Sequence, residues 1–197
     1  MKRRILESAR EEFCIHSYSG ARIDRISKNA ETTDRMLYYH FGNKEALYQI
    51  VLEDLYKEIV LAQKDFKFTE NNPSQAMQEI IEQIWQYYLS HPNFIRIVMS
   101  ENLLYGEFFS KSEKIRQAPL GLLEKTEYIL NQGKHSGLFK TDAKAEFVLL
   151  TIMSMGFFYV GHQYTCSQWL EKDMMSEESC QQWLKNIKMA VLQTILK

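Results

Sequence analysis

Thr32, Thr33, Asp34, Arg35, Met36, Tyr38, Tyr39 and His40 crowd a short segment that ends a few residues before Lys44. Together they offer a guanidinium fork, two phenols, an imidazole and an ammonium, a set rich in hydrogen-bond donors. The pattern around them is two short helices joined by a four-residue turn, and the second helix shows a polar and aromatic face. That is the layout of a helix-turn-helix. A helix this short cannot hold itself and must be braced by its neighbours, which leaves its free face able to enter a major groove. Catalytic patterns are missing. There is no Ser/His/Asp or Cys/His constellation, no phosphate-cradling glycine-rich loop and no HExxH. His162 and Cys166 are four residues apart, but two ligands without a third make no metal site. The sequence points away from an enzyme and calls for no cofactor and no metal.

The elements that must position these residues are helical. The chain has 197 residues, 45% of them hydrophobic and 25% charged, as expected of a globular protein. Net charge is −1, so global charge does not announce a nucleic-acid partner. Residues 1–48 nevertheless carry nine Lys/Arg against seven Asp/Glu. Cys14, Cys166 and Cys180 form no CxxC pair, and an odd count without a secretory signal fits a reducing cytoplasm. The apolar run from Phe147 to Gly161 is interrupted by Thr151 and Ser154 and reads as a buried helix rather than a membrane span.

Apolar residues recur at three- and four-residue steps almost throughout, with no hairpin signal, which predicts an all-α fold of about nine helices. The expected spans are Lys2–His16, Arg22–Asn29, Asp34–Tyr39, Lys44–Asp65, a fifth from Pro73 to Ser90 and a sixth from Pro92 to Phe109. A polar bridge over 111–118 follows, then Leu120–His135, Ala143–Thr165 and Glu177–Leu196. Thr33, Asn43, and Thr141 with Asp142, are placed to cap helices. The predicted division is a helix-turn-helix domain over 1–48 and a larger helical body over 49–197, the latter the effector-binding and dimerisation domain by the family resemblance given next.

The run Ile5-Leu6, Ala9, Phe13, Tyr18, Ile23, Ile26, Ala30, Thr33 and Leu37-Tyr38-Tyr39-His40-Phe41-Gly42-Asn43-Lys44-Glu45-Ala46-Leu47 resembles the DNA-binding domain of the tetracycline-repressor (TetR) family. Leu37–Leu47 is its most specific part. The resemblance implies a ligand-responsive transcriptional regulator, a repressor that leaves a palindromic operator when a small molecule binds. It implies a homodimer formed through the last two helices, double-stranded DNA as a partner and no membrane. By this resemblance Tyr38 bonds a phosphate, and Lys44 joins its ammonium to a helix N-terminus that also favours phosphate. His40 lies near the DNA backbone. Asp34, Arg35, Met36 and Tyr39 occupy the exposed recognition positions, Arg35 suited to bidentate guanine readout and Met36 and Tyr39 to thymine methyls. Thr32 and Thr33 touch backbone or base. Three positions depart from the pattern, the first being Asp34, acidic in a place facing DNA, which would repel phosphate unless it accepts from a cytosine amino group or holds Arg35 in place. Glu31 stands where the family has Gly, and a positive φ is costlier for Glu. Arg22 replaces the Thr or Ser that opens the second helix, adding a phosphate-seeking charge.

The body resembles more distantly the branch that includes the pyrimidine-utilisation regulator, through Pro92-Asn93-Phe94, Ser100-Glu101-Asn102-Leu103, Gly137-Leu138-Phe139 and Phe157-Phe158-Tyr159. Polar residues on an otherwise apolar helix cap, pair or line a cavity. Trp85, Tyr88, Met99, Asn102, Tyr105, Thr151 and Met155 are the candidate lining of an effector pocket, with core packing as the alternative for each. Ser154, Gly156 and Gly161, with Trp183, Leu184, Ile187, Val191, Leu192 and Ile195, are the expected dimer surface. The rival functional reading is a helical hydrophobic-ligand carrier or an interaction module with weakened DNA binding, kept open by Glu31 and Asp34.

Overall fold

The computed structural model describes residues 1–118 and 121–197. The all-α expectation holds. Twelve helical segments run through the described residues, with one isolated antiparallel bridge between Phe139 and Leu196. They are α1 (Lys2–Gly20), α2 (Ile23–Asn29), α3 (Asp34–Phe41), α4 (Lys44–Lys64), α5 (Pro73–Ser90), α6 (Pro92–Leu103), α7 (Glu107–Lys111), α8 (Glu113–Arg116), α9 (Gly121–His135), α10 (Ala145–Gly161), α11 (Gln163–Trp169) and α12 (Glu177–Ile195).

The count exceeds nine for local reasons. The expected sixth helix stops at Leu103, because Tyr105 and Gly106 take left-handed backbone (φ 57° and 69°) and restart the chain as α7. The polar bridge contains α8, capped by the Ser112 hydroxyl, which accepts from the Ile115 amide. The expected eighth helix breaks at His162. Leu120, the predicted start of the seventh, lies outside the described residues. Thr141 and Asp142 do not cap α10, whose N-cap is Lys144 without a side-chain bond. The other predicted caps are made. The Thr33 hydroxyl accepts from Met36 N–H at 3.3 Å, and Asn43 Oδ1 accepts from Ala46 N–H at 2.7 Å.

Contacts divide the chain into two compact units. The first joins Met1–Val60 to Asn93–Ala118, and the second joins Leu61–Pro92 to the chain from 121 to 197. The core of the first is built on Ile5, Ala9 and Phe13 of α1, Ile26 of α2, Leu37 and Phe41 of α3, and Leu47, Leu52 and Leu55 of α4, all buried. Ile5, Ala9 and Phe13, and likewise Leu37 and Phe41, recur at i, i+4 steps.

In the second unit α5 packs against α9, α10 and α12. Close approach here needs glycine. A Cβ on Gly133 would lie 1.9 Å from the ring of Phe139, which is fully buried and tied through its neighbours to the C-terminal end of α12, with Lys140 N–H donating to Ile195 O at 2.7 Å. Gly133→Ala is therefore expected to cost about 3 kcal/mol by overpacking, read as a lower urea midpoint with unchanged slope. A wild-type midpoint would show that the ring can move. Gly156 plays a similar part, since its Cβ would meet the Tyr88 ring at 2.9 Å. Gly156, Ile187, Val191 and Ile195 are thus buried inside their own unit, not on a dimer surface as the sequence suggested.

Candidate nucleic-acid interface

The first unit holds α3 between buried and open faces. Leu37 and Phe41, four residues apart, turn inward, while Arg35, Tyr38 and Tyr39 turn outward, Tyr39 79% exposed and Tyr38 45%. Arg35 makes no hydrogen bond or ion pair among the described residues, so its guanidinium fork is unspent. Met36 and His40 are half-buried, and the His40 ring meets Tyr39 edge-on at 5.1 Å. Thr33 spends its hydroxyl on the cap, and Thr32 is half-buried beside it.

Asp34 is exposed but engaged. Its carboxylate accepts from the Ser27 hydroxyl on α2, stitching α3 to α2. It also sits in the first turn of α3, where a negative charge favours the helix. Arg22 is engaged as well, its guanidinium forked onto Asp24 at 3.0 and 2.8 Å. Glu31 has φ 51°, the left-handed conformation expected of a turn that suits glycine, and accepts from Arg4 at 2.7 Å.

Lys44 opens α4, after the Gly42–Asn43 turn in which Gly42 has φ 80°. Its ammonium lies 4.8 Å from the centroid of the Tyr18 ring. Partial burial draws Lys44 below the ordinary lysine pKa, against the opposing pull of Glu12. The helix N-terminus stands in the same place, so two sources of positive potential coincide there.

One organising residue escaped the sequence reading. Glu12 on α1 is 5% exposed, and its carboxylate accepts from Arg22 N–H at 2.8 Å and Arg25 Nε at 2.8 Å. It therefore fixes where α2 begins, a start that has no side-chain cap of its own. The signal was present, since Glu12 lies on the face of Ala9 and Phe13, where a carboxylate must be paired. Burial alone raises its pKa. The Arg25 side-chain bond, the Arg22 amide and the charges of Arg25 and His16 outweigh that and hold it below 4.5. A folded-state pKa held down means that the unfolded chain binds the proton first. This stabilisation is full above about pH 4.5 and is lost as pH falls through the folded value. Glu12→Ala is expected to cost about 2 kcal/mol near neutral pH, and less as the wild type is titrated into acid. A difference independent of pH would contradict the assignment.

The sequence matches two family descriptions. Residues 5–51 match "Bacterial regulatory proteins, tetR family", and residues 73–191 match "Tetracyclin repressor-like, C-terminal domain". The chain belongs to the TetR family of transcriptional regulators. It is a DNA-binding regulator built on an N-terminal helix-turn-helix. The HTH-type transcriptional repressor NicS of Pseudomonas putida is 34% identical over 180 residues, covering 91% of this chain and 85% of NicS. The HTH-type transcriptional repressor SCO4008 of Streptomyces coelicolor is 31% identical, covering 59% of this chain and 57% of that protein. Among solved TetR-like folds, the ketosteroid regulator KstR2 of Mycobacterium tuberculosis superposes with a TM-score of 0.71 at 19% identity, covering 99% of this chain and 95% of KstR2.

The candidate effector residues fall in both units. Trp85, Tyr88, Thr151 and Met155 belong to the second unit, and Met99, Asn102 and Tyr105 to the first. Trp85 and Tyr88 are buried on α5, with Trp85 edge-on to Tyr159 at 5.4 Å, and the Met155 carbonyl accepts from Trp183 Nε1 at 3.2 Å. Thr151 bonds its own helix, at the Phe147 carbonyl. Met99 is half-buried. Asn102 and Tyr105 lie at the surface. Asn102 is exposed and donates to Val98 O on its own helix, and Tyr105 is 99% exposed because the left-handed turn after α6 swings it outward. Among the described residues no group of three metal-ligating side chains exists, and no single helix is long and apolar enough to cross a membrane.

Proposed function

We propose that this TetR-family regulator is a repressor that binds a two-fold symmetric operator as a homodimer and is released by a small molecule. The outward face of α3 carries the reading, with Arg35 unpaired beside exposed Tyr38 and Tyr39, and Lys44 at the N-terminus of α4. In this reading Arg35 reads a guanine, Met36 and Tyr39 pack on thymine methyls, and Tyr38, His40, Thr32, Thr33 and Lys44 hold phosphates. Arg22 and Asp34 play a lesser part, since each is already paired within the domain. The repressor sign is supported by the name and 34% identity of NicS. The protein acts in the cytoplasm, where bacterial DNA lies.

Two recognition helices about 34 Å apart are needed to reach successive major grooves, which requires a dimer. Phe147, Leu150, Ser154 and Phe158 recur at three- and four-residue steps along α10, and the three large side chains are 59%, 59% and 54% exposed. An apolar stripe of this kind favours a second copy of the chain. The double variant Leu150→Glu, Phe158→Glu is expected to sediment as a monomer at micromolar concentration, and a persistent dimer would move the interface elsewhere. We place the effector in the second unit, near Trp85, Tyr88, Thr151 and Met155, as a small and mostly apolar molecule. Its binding and that of DNA oppose each other by linkage.

Footprinting on the DNA upstream of the chain's own gene tests the reading. Two protected half-sites in symmetric arrangement, lost when one small metabolite is added, are expected. A single unsymmetric footprint, or one that no metabolite disturbs, would remove the dimer or the effector respectively.

A further inference from the structure

Tyr18 follows a break in α1. Ser17 has φ 59° and ψ 177°, a region that is essentially glycine's alone and strained for any other residue. Such strain persists only where the surroundings enforce it. Here it turns the chain so that Tyr18 comes back onto the start of α4. There the ring is held by three others, with centroids at 6.4 Å to Phe13, 5.1 Å to Tyr48 and 4.5 Å to Phe108. Phe13, Tyr48 and Phe108 are themselves buried, so the ring has little room to turn. Lys44 Nζ lies 4.8 Å from its centroid, within the range of a cation–π contact. Among the described residues Lys44 has no ion pair. Its neighbour Glu45 is taken by Lys111, at 2.8 Å, and Lys111 is shared with Glu107.

We infer that Tyr18 is a positioning residue for DNA binding: its locked ring holds the Lys44 ammonium at the N-terminus of α4, aimed at a phosphate before DNA arrives. A lysine side chain is flexible, and ordering it on binding costs affinity. A ring fixed by three aromatic neighbours and a strained serine removes much of that cost in advance. The tyrosine hydroxyl has no part in this, so phenylalanine must serve equally well. The inference rests on Lys44 contacting phosphate, as proposed above.

The test is a double-mutant cycle on a labelled duplex covering the DNA upstream of the chain's own gene, read by fluorescence anisotropy across a salt series. Tyr18→Phe is expected to bind as the wild type does. Tyr18→Leu is expected to lose about fivefold in affinity, a cation–π contact of ordinary strength. Lys44→Ala is expected to weaken binding and to lower the salt slope by about one. In the Lys44→Ala background, Tyr18→Leu is expected to add nothing. An equal loss from Tyr18→Leu in both backgrounds would mean a merely structural ring and would overturn the inference, as would no loss in the wild-type background. If Lys44→Ala changes neither affinity nor slope, the phosphate contact fails, and the inference with it.

A measurement on unbound wild-type protein separates those failures and needs no variant to fold. The Lys44 ε-methylene protons are expected to be shifted upfield by the Tyr18 ring current in the NMR spectrum of lysine-labelled protein. Ordinary lysine shifts there would overturn the inference even if Lys44 binds phosphate.

Discussion

Glu101→Ala is expected to lower the unfolding free energy by about 3 kcal/mol, a large effect for a single polar side chain. Glu101 lies on the buried face of α6, four residues after Ile97 and seven after Phe94, and is 2% exposed. Its two oxygens have separate tasks. Oε1 accepts from the Tyr48 hydroxyl at 2.9 Å, and Oε2 accepts from the Phe109 amide at 2.9 Å. Burial first, and then the Glu101 charge, push the Tyr48 phenol well above its ordinary pKa, so it remains a donor at every physiological pH. Alanine leaves the fully buried Tyr48 hydroxyl and the first turn of α7 without their acceptor. Glu101→Gln keeps an acceptor and is expected to cost about 1 kcal/mol. Tyr48→Phe and Glu101→Ala remove the same bond, so their losses are expected to be strongly non-additive in the double variant. Chemical denaturation measures all four proteins, and a Glu101→Ala cost within about 0.5 kcal/mol of zero would contradict the account.

Arg35→Ala is expected to weaken binding to the operator by about 10- to 100-fold and to relax sequence preference at one base pair in each half-site. The expectation comes from the contrast among the domain's arginines. Arg4, Arg10, Arg22 and Arg25 are paired with Glu31, Glu58, Asp24 and Glu12, whereas Arg35 stands unpaired on the exposed face of α3. A bidentate base contact loses discrimination when removed. A phosphate contact, such as that proposed for Lys44, weakens all sequences alike and flattens the salt dependence. Competition by duplexes with single base-pair changes, run with wild type and Arg35→Ala, separates these cases. Uniform weakening with unchanged preference would make Arg35 a backbone contact.

The helix-turn-helix was legible because its signals are local. The Thr33 and Asn43 caps, the Gly42 turn and the inward pair Leu37 and Phe41 each depend on residues a few positions apart, and all appear as read. At Glu31 the family's glycine left a strained or a reshaped turn open, and the φ of 51° gives the strained one. What escaped depends on distant partners. Glu101 could be singled out as polar on an apolar helix, but not that it answers to Tyr48, 53 positions away. Nearer pairings escaped as well, with Arg22 folded onto Asp24 two positions on and Asp34 accepting from Ser27 on the neighbouring helix. Gly156 was read as opening a surface to a second chain, but it makes room for Tyr88 on α5. Small residues at helical spacing mark a close approach without saying to what.

As proposed above, α3 and the start of α4 together form a DNA-reading surface. The most direct test is fluorescence anisotropy of the purified protein on a labelled duplex from its own upstream region at about 100 mM salt, with a scrambled duplex as competitor. Tight binding is expected that the scrambled duplex does not displace, that falls steeply as salt rises, and that one small metabolite releases. Binding no tighter to the upstream duplex than to the scrambled one, even at low salt, would contradict the proposal.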